Sequence, residues 1–130
     1  MISKINLHNE RKKKMIKKNG GYEVSLKENM RGGDGTVKIT GLLTKEELNE
    51  KGRLYGVIRL EPGCSIGYHI HEGESEIFHV LKGSALYNDN GTEVTISEGD
   101  TTVTKSGEGH SIKNPSDDTV CEVMALIVYA

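Results

Sequence analysis

From residue 53 onwards, short runs of strand-forming residues alternate with turn signals. The turn signals are EPG at 61–63, EGES at 72–75, NDNG at 88–91, SEGD at 97–100, KSGEG at 105–109 and NPSDD at 114–118. The runs between them are LYGVIRL, IGYHIH, EIFHVLKG, SALY, TEVTI, TTVTK, HSIK and TVCEVMALIVYA. Short strands, Gly-rich turns and no helical periodicity are typical of an antiparallel sandwich or barrel. The pattern therefore predicts an all-β fold.

The first 52 residues are less regular. TKEELNEKG predicts one short helix, with Thr44 as its N-cap, Glu47 closing a capping box and Gly52 beyond its end. YEVSL, between NGG and RGGDG, predicts an extra strand. Because 130 residues provide one core, we expect a single domain. In it, the arm, strand and helix of residues 1–52 pack on a barrel of residues 53–130.

Charge is distributed unevenly along the chain. Residues 1–18 carry seven Lys or Arg and one Glu, giving +6, and residues 19–130 carry ten against eighteen acids, giving −8. The basic run RKKKMIKK at 11–18 could contact a phosphate backbone or an acidic membrane. No aromatic residues interleave with it and no helix-turn-helix pattern follows, so we expect a solvated arm and no nucleic-acid partner.

The cysteines, the N-terminal segment and the lengths of the apolar runs indicate the expected cellular compartment. Cys64 and Cys121 lie far apart, and MISKINLHNE lacks the apolar core of a signal peptide. No apolar run is long enough to cross a bilayer. We therefore expect a cytoplasmic protein with reduced thiols and no membrane partner.

Histidines and carboxylates concentrate in GYHIHEGESEIFHVLKG, residues 67–83. Side chains alternate along a strand, so His69 and His71 share one face. After the EGES turn, Glu76 can arrive beside them on the next strand, which places His79 on the opposite face. His110 arrives on a later strand. Neutral imidazoles with one carboxylate suit a divalent Mn, Fe, Zn, Ni or Co ion with one or two open coordination positions. The alternative is that these are polar residues of the barrel interior without an ion, in which case they would need other hydrogen-bond partners.

The spacings of these residues resemble the two motifs of the cupins. The first motif is matched throughout by Gly63, His69, His71, Glu76 and Gly83. The second is matched by Gly99, Gly107, His110 and Asn114, with Lys105 in place of its proline. That proline shapes a turn and is not a ligand.

The resemblance covers about residues 53 to 129. It implies a small jelly-roll barrel of two sheets, with a metal near one mouth held by His69, His71, Glu76 and His110. It also implies a homodimer formed through edge strands.

Three further residues are candidate contacts for a substrate. Arg59 could clamp a carboxylate with its guanidinium, and Tyr68 and Phe78 could reach the pocket, depending on strand register. Glu72 and Glu74 are expected to be solvated loop residues beside the ligands.

The family resemblance leaves the reaction open, since one fold serves many chemistries. It implies a metalloenzyme acting on a small anionic or oxygen-rich substrate, similar to dioxygenases or to oxalate-decarboxylase-like single-domain cupins. The oxalate enzymes carry an Arg three residues before the first ligand His, where this chain has Ile66. The competing hypothesis is a non-catalytic small-molecule-binding or sensor cupin with a structural metal.

Overall fold

Two antiparallel sheets make up the structure, a computed structural model that describes residues 15–130. The strands are β1 (Glu23–Glu28), β2 (Thr36–Leu43), β3 (Gly52–Leu60), β4 (Ser65–Ile70), β5 (Glu74–Lys82), β6 (Ser84–Asp89), β7 (Thr92–Ser97), β8 (Thr101–Thr104), β9 (Gly109–Lys113) and β10 (Cys121–Tyr129). The larger sheet has the order β1-β2-β3-β10-β5-β8, and the smaller one β4-β9-β6-β7. This arrangement confirms the predicted all-β jelly roll, and the extra strand is β1.

The core lies between the sheets, because apolar residues alternate with polar ones along most strands. The larger sheet contributes Val37, Ile58, Leu60, Phe78, Val80, Val123 and Ala125. The smaller sheet contributes Ile66, Ala85, Tyr87, Ile96 and Ile112.

The helix predicted at residues 44–52 does not form, although its capping box does. The Thr44 backbone N–H donates to the Glu47 carboxylate at 2.9 Å, and the Glu47 N–H donates to Thr44 Oγ1 at 3.1 Å. Asn49 and Glu50 then adopt left-handed backbone angles, with φ of 55° and 58°. The segment therefore makes hydrogen-bonded turns and returns at once into β3. Among the described residues, the one helical segment is a 3-10 turn at Met30–Gly32.

Asn114 joins the segments that follow β3 and β9. Its buried side-chain amide donates to the carbonyls of Leu60 at 2.9 Å and Thr119 at 2.7 Å, and its Oδ1 accepts from the Ser116 N–H at 3.0 Å. These bonds fix the chain where β9 leaves the smaller sheet and the chain returns to β10.

Candidate metal centre

A β-bulge in β4 brings the first two histidines inward. Ile66 pairs with Ile112 and His69 pairs with His110, with a register shift between the two pairs. The shift lets Ile66 and His69 both face the interior, although they are three residues apart. His71 follows on the same face as His69, while Ile70 points away and is 54% exposed.

Four donor atoms converge from three strands and the turn after β4. His71 Nε2 lies 3.1 Å from each of three atoms: His69 Nε2, His110 Nε2 and Glu76 Oε1. Glu76 Oε1 also lies 3.1 Å from His110 Nε2, and all four donors lie within 4.8 Å of one another. Ligands at right angles around an ion at about 2.2 Å are separated by about 3.1 Å, whereas tetrahedral ligands are about 3.6 Å apart. The spacing therefore fits neighbouring positions of an octahedral ion.

The other ring nitrogen of each histidine has an oxygen partner. His69 Nδ1 donates to the Gly67 carbonyl and His71 Nδ1 donates to the Glu74 carboxylate, each at 2.7 Å. His110 Nδ1 lies 2.7 Å from Tyr87 Oη. Because a carbonyl or carboxylate can only accept, the neutral rings of His69 and His71 carry their proton on Nδ1 and present an Nε2 lone pair. Two lone pairs facing each other at 3.1 Å favour a cation between them.

Glu74 is itself held by Arg53. The guanidinium donates through Nε at 2.8 Å and Nη2 at 2.7 Å to the two carboxylate oxygens. These bonds from Arg53 lower the pKa of Glu74 to about 2, so the carboxylate is ionised and accepts the His71 proton. The loop assignment made for Glu74 was wrong, because it begins β5 and supports a ligand.

The pKa shifts of His71 and Glu76 reflect the attraction between positive charge and the Glu76 carboxylate. The hydrogen bond to Glu76 raises the pKa of His71. Burial alone would raise the pKa of Glu76, but hydrogen bonds from His110 and His71 outweigh it and the pKa is lowered. Burial lowers the pKa of His69. The charge distribution thus favours a cation beside Glu76.

A chamber of about 190 Å³ lies on the open side of the cluster. Its walls are mainly apolar and its mouth is basic. The lining residues are Lys27, Met30, Arg31, Ile39, Arg53, Leu54, Ile58, Ile66, His69, His71, Glu76 and Ile127. It adjoins a shallower groove of about 520 Å³, with which it shares Ile39, Arg53 and Leu54. A small molecule can therefore reach the cluster from that side.

The three side chains considered as substrate contacts lie outside the chamber. Arg59 is on the outer face of β3, where its Nε donates to Glu61 at 2.9 Å and Nη1 lies 3.6 Å from Glu122. Tyr68 is half exposed on β4, and its ring occupies the space in which a Cβ at Gly109 would stand. Phe78 is buried and stacks behind His110 at 5.2 Å between ring centroids. The bulge in β4 accounts for the position of Tyr68, and the outward parity on β3 accounts for that of Arg59. Phe78 does face the interior, but it lies behind His110.

Other side chains near the site were not identified from the sequence. Arg53 and Glu74 support His71, while Tyr87 supports His110; Lys27 and Arg31 reach the chamber mouth from β1 and its following turn. Strand parity could have placed Tyr87 on the interior face, but no local signal pairs residues so distant in sequence.

The comparisons with known proteins agree with this geometry. The family model described as "Cupin domain" matches residues 56–129. The chain belongs to the cupin family. This cupin is 47% identical over 100 residues to the oxalate-binding protein of Thermotoga maritima, an alignment that covers 77% of this chain and 82% of that protein.

Solved structures show the same fold. A predicted oxalate decarboxylase from Thermotoga maritima superposes with a TM-score of 0.84 at 41% identity, covering 89% of this chain and all of the other. An RmlC-like cupin from Shewanella frigidimarina, at 16% identity, superposes with a TM-score of 0.59 over 83% of this chain and 86% of the other. The second likeness bears on the fold alone. Within residues 15–130, we find no helix long and apolar enough to cross a membrane.

Proposed function

We propose that this cupin binds one divalent transition metal, from among Mn, Fe, Zn, Ni and Co, through His69, His71, Glu76 and His110. We further propose that a small anionic ligand binds in the chamber against that ion. The observation that carries this proposal is the convergence of four donor atoms, of which four pairs are 3.1 Å apart. Three of the four residues, His69, His71 and Glu76, line a small chamber. When bound, the metal would polarise a ligand carboxylate as a Lewis acid.

A small carboxylate such as oxalate suits this chamber. The relative at 47% identity is an oxalate-binding protein. Of the described residues that line the chamber, Glu76 is the one acid, whereas Lys27, Arg31 and Arg53 are basic. A volume of about 190 Å³ accepts a ligand of a few heavy atoms.

Binding without turnover is the function that the geometry supports best. A decarboxylase must deliver a proton to the carbon that loses CO2. Among the described residues that line the chamber, the one carboxylic acid, Glu76, is a proposed metal ligand, and Ile66 stands where the oxalate enzymes that this chain resembles carry an arginine.

A metalloenzyme of decarboxylase or dioxygenase type is the second candidate. It is supported by the likeness to a predicted oxalate decarboxylase and by the coordination positions that four ligands leave open on an octahedral ion.

Calorimetric titration with oxalate tests the binding proposal. Metal content is measured in protein purified without added metal, and oxalate is titrated into the metal-loaded and the chelator-stripped protein. We expect binding to the loaded protein only, loss of metal and of binding in His71→Ala, and retention of both in His79→Ala. His79 is the matched control because it lies exposed on the outer face of β5, bonded to Thr101. Equal binding by stripped and loaded protein would refute the role of the metal.

Turnover assays separate the two candidates. The metal-loaded protein is incubated with oxalate and with a panel of small carboxylates and diols, while CO2 release, formate and oxygen uptake are followed. We expect no turnover. Metal-dependent product formation that His71→Ala abolishes would establish the enzyme instead.

We also propose that the protein forms a homodimer. The outer face of the larger sheet carries an apolar patch that includes Tyr55, Ile77, Val103 and Leu126, which lie in one row across β3, β10, β5 and β8. We propose that this sheet face takes part in the contact, in addition to the edge strands expected from the family resemblance.

A further inference from the structure

The turn between β1 and β2 forms one wall of the chamber. Met30 and Arg31, both in the 3-10 turn, line it together with the cluster residues. Met30 also packs against the hydrophobic core. The turn therefore contributes to the same cavity as the metal ligands, although it lies more than thirty residues before them.

The turn is fixed in place by β4. Asp34 and Ser65 exchange two hydrogen bonds of 2.8 Å, from the Asp34 N–H to Ser65 Oγ and from the Ser65 N–H to the Asp34 carbonyl. A Cβ at Gly67 would overlap the carbonyl oxygen of Arg31. Glycine at 67 thus permits a backbone approach that no other residue allows at this spacing. The wall is preorganised for a ligand.

Arg31 adopts a backbone conformation that a bulky residue rarely adopts. Its φ of 55° and ψ of 30° lie in the left-handed region, where glycine or asparagine would be less strained. Among the described residues, no acidic side chain lies within salt-bridge distance of the Arg31 guanidinium, whereas Arg53 is engaged by Glu74 and Arg59 by Glu61. Arg31 is exposed and lines the chamber, so its unneutralised guanidinium is within reach of an anion bound there.

We infer that Arg31 is the specificity-determining residue of the chamber and binds the distal carboxylate of a short dicarboxylate whose proximal carboxylate faces the His/Glu cluster. This inference rests on the proposed function. The cluster with a divalent ion and Glu76 carries a net positive charge, and Arg31 supplies a second positive centre across a chamber of about 190 Å³. A guanidinium binds a carboxylate through two parallel N–H bonds, so a dianion with two ends is favoured over a monoanion of similar size.

Titration of two probes into the metal-loaded protein tests the assignment. We expect Arg31→Gln to weaken oxalate binding by about 10- to 100-fold while acetate binding changes less than about threefold. Arg59→Gln is the matched control, since its guanidinium lies outside the chamber, and it should keep the wild-type preference for oxalate. Gly67→Ala should also lower that preference with metal content retained, because the turn must move.

The outcomes distinguish the inference from the proposed function. A metal-loaded wild type that does not bind oxalate overturns both. If the wild type binds oxalate, three results would each overturn the role of Arg31 and leave the proposed function intact. They are an unchanged preference for oxalate in Arg31→Gln, an equal loss of oxalate and acetate binding in that variant, and loss of the preference in Lys27→Gln alone. Loss of oxalate selectivity in Arg31→Gln with unchanged metal content and thermal stability supports it.

Discussion

At the scale of single residues, the site depends on atoms that would not touch a metal. The Nδ1 atoms of His69, His71 and His110 each meet an oxygen, which fixes the ring orientation and leaves Nε2 for the ion. For His71 that oxygen belongs to Glu74, and Arg53 holds Glu74 in turn. The candidate ligands are thus oriented by a second set of residues that would not contact the ion.

Glu74→Ala should weaken metal binding by about 10- to 100-fold, because removing the partner of a ligand histidine frees its ring. Competition with a chelating dye measures the affinity. Glu72→Ala is the control, since Glu72 lies exposed in the turn just before β5. Equal affinities for the two variants would contradict a supporting role for Glu74.

The two cysteines differ in exposure, and this predicts their reactivity. Cys121 is fully buried, and burial raises the pKa of its thiol to about 11, whereas Cys64 is partly exposed. Because the thiolate is the reactive form, a disulfide-exchange reagent at pH 8 should modify one thiol in the native protein and two in urea. Cys64→Ser should leave no fast-reacting thiol. Rapid modification of both thiols in the native state would show that β10 opens.

At the scale of elements, the sequence predicted what depends on local rules. Strand parity and turn residues identified β3 to β10 and placed His69, His71 and Glu76 on one face. The capping box at Thr44 formed, but Asn49 and Glu50 turned the chain before a helix could follow. Three features could not be predicted, because each depends on contacts between residues distant in sequence. They are the bulge in β4, the Arg53–Glu74 ion pair and the position of the Arg31 turn beside the chamber.

Asn114 illustrates an element-scale contact that fixes the fold without touching the site. Asn114→Ala should lower the free energy of unfolding by about 1–3 kcal/mol for each buried group left unpaired, since Leu60 and Thr119 would lose a donor. Metal affinity should be retained, because the residue bonds to the chain segments beside β3 and β10. Urea unfolding monitors the first effect and chelator competition the second; Asn19→Ala, an exposed site, is the control. A stability equal to that of the wild type would contradict the role of Asn114.

At the scale of the whole molecule, one sheet face stands out. The larger sheet packs its inner face on the core, and its outer face carries a patch of apolar residues. Val103 on β8 is 54% exposed and Leu81 on β5 is 46% exposed. Ile77 and Leu126 lie beside each other in register. An exposed apolar surface of this kind supports the proposed homodimer, because a second copy of the chain would present the same surface.

Val103→Lys should therefore dissociate the proposed homodimer. In a two-fold interface, the lysines of the two copies would lie close together or be buried without a partner. Either arrangement makes the free energy of association less favourable. Val103 is exposed in the single chain, so the substitution leaves the core intact and the monomer folded. Light scattering after gel filtration should give twice the chain mass of 14.3 kDa for the wild type and the chain mass itself for the variant. Val94→Lys is the matched control, because Val94 is 47% exposed on β7 of the smaller sheet and should leave the dimer unchanged. If Val103→Lys remains a dimer and dissociates at the same protein concentration as the wild type, the sheet face is not the interface and the edge strands would be the alternative.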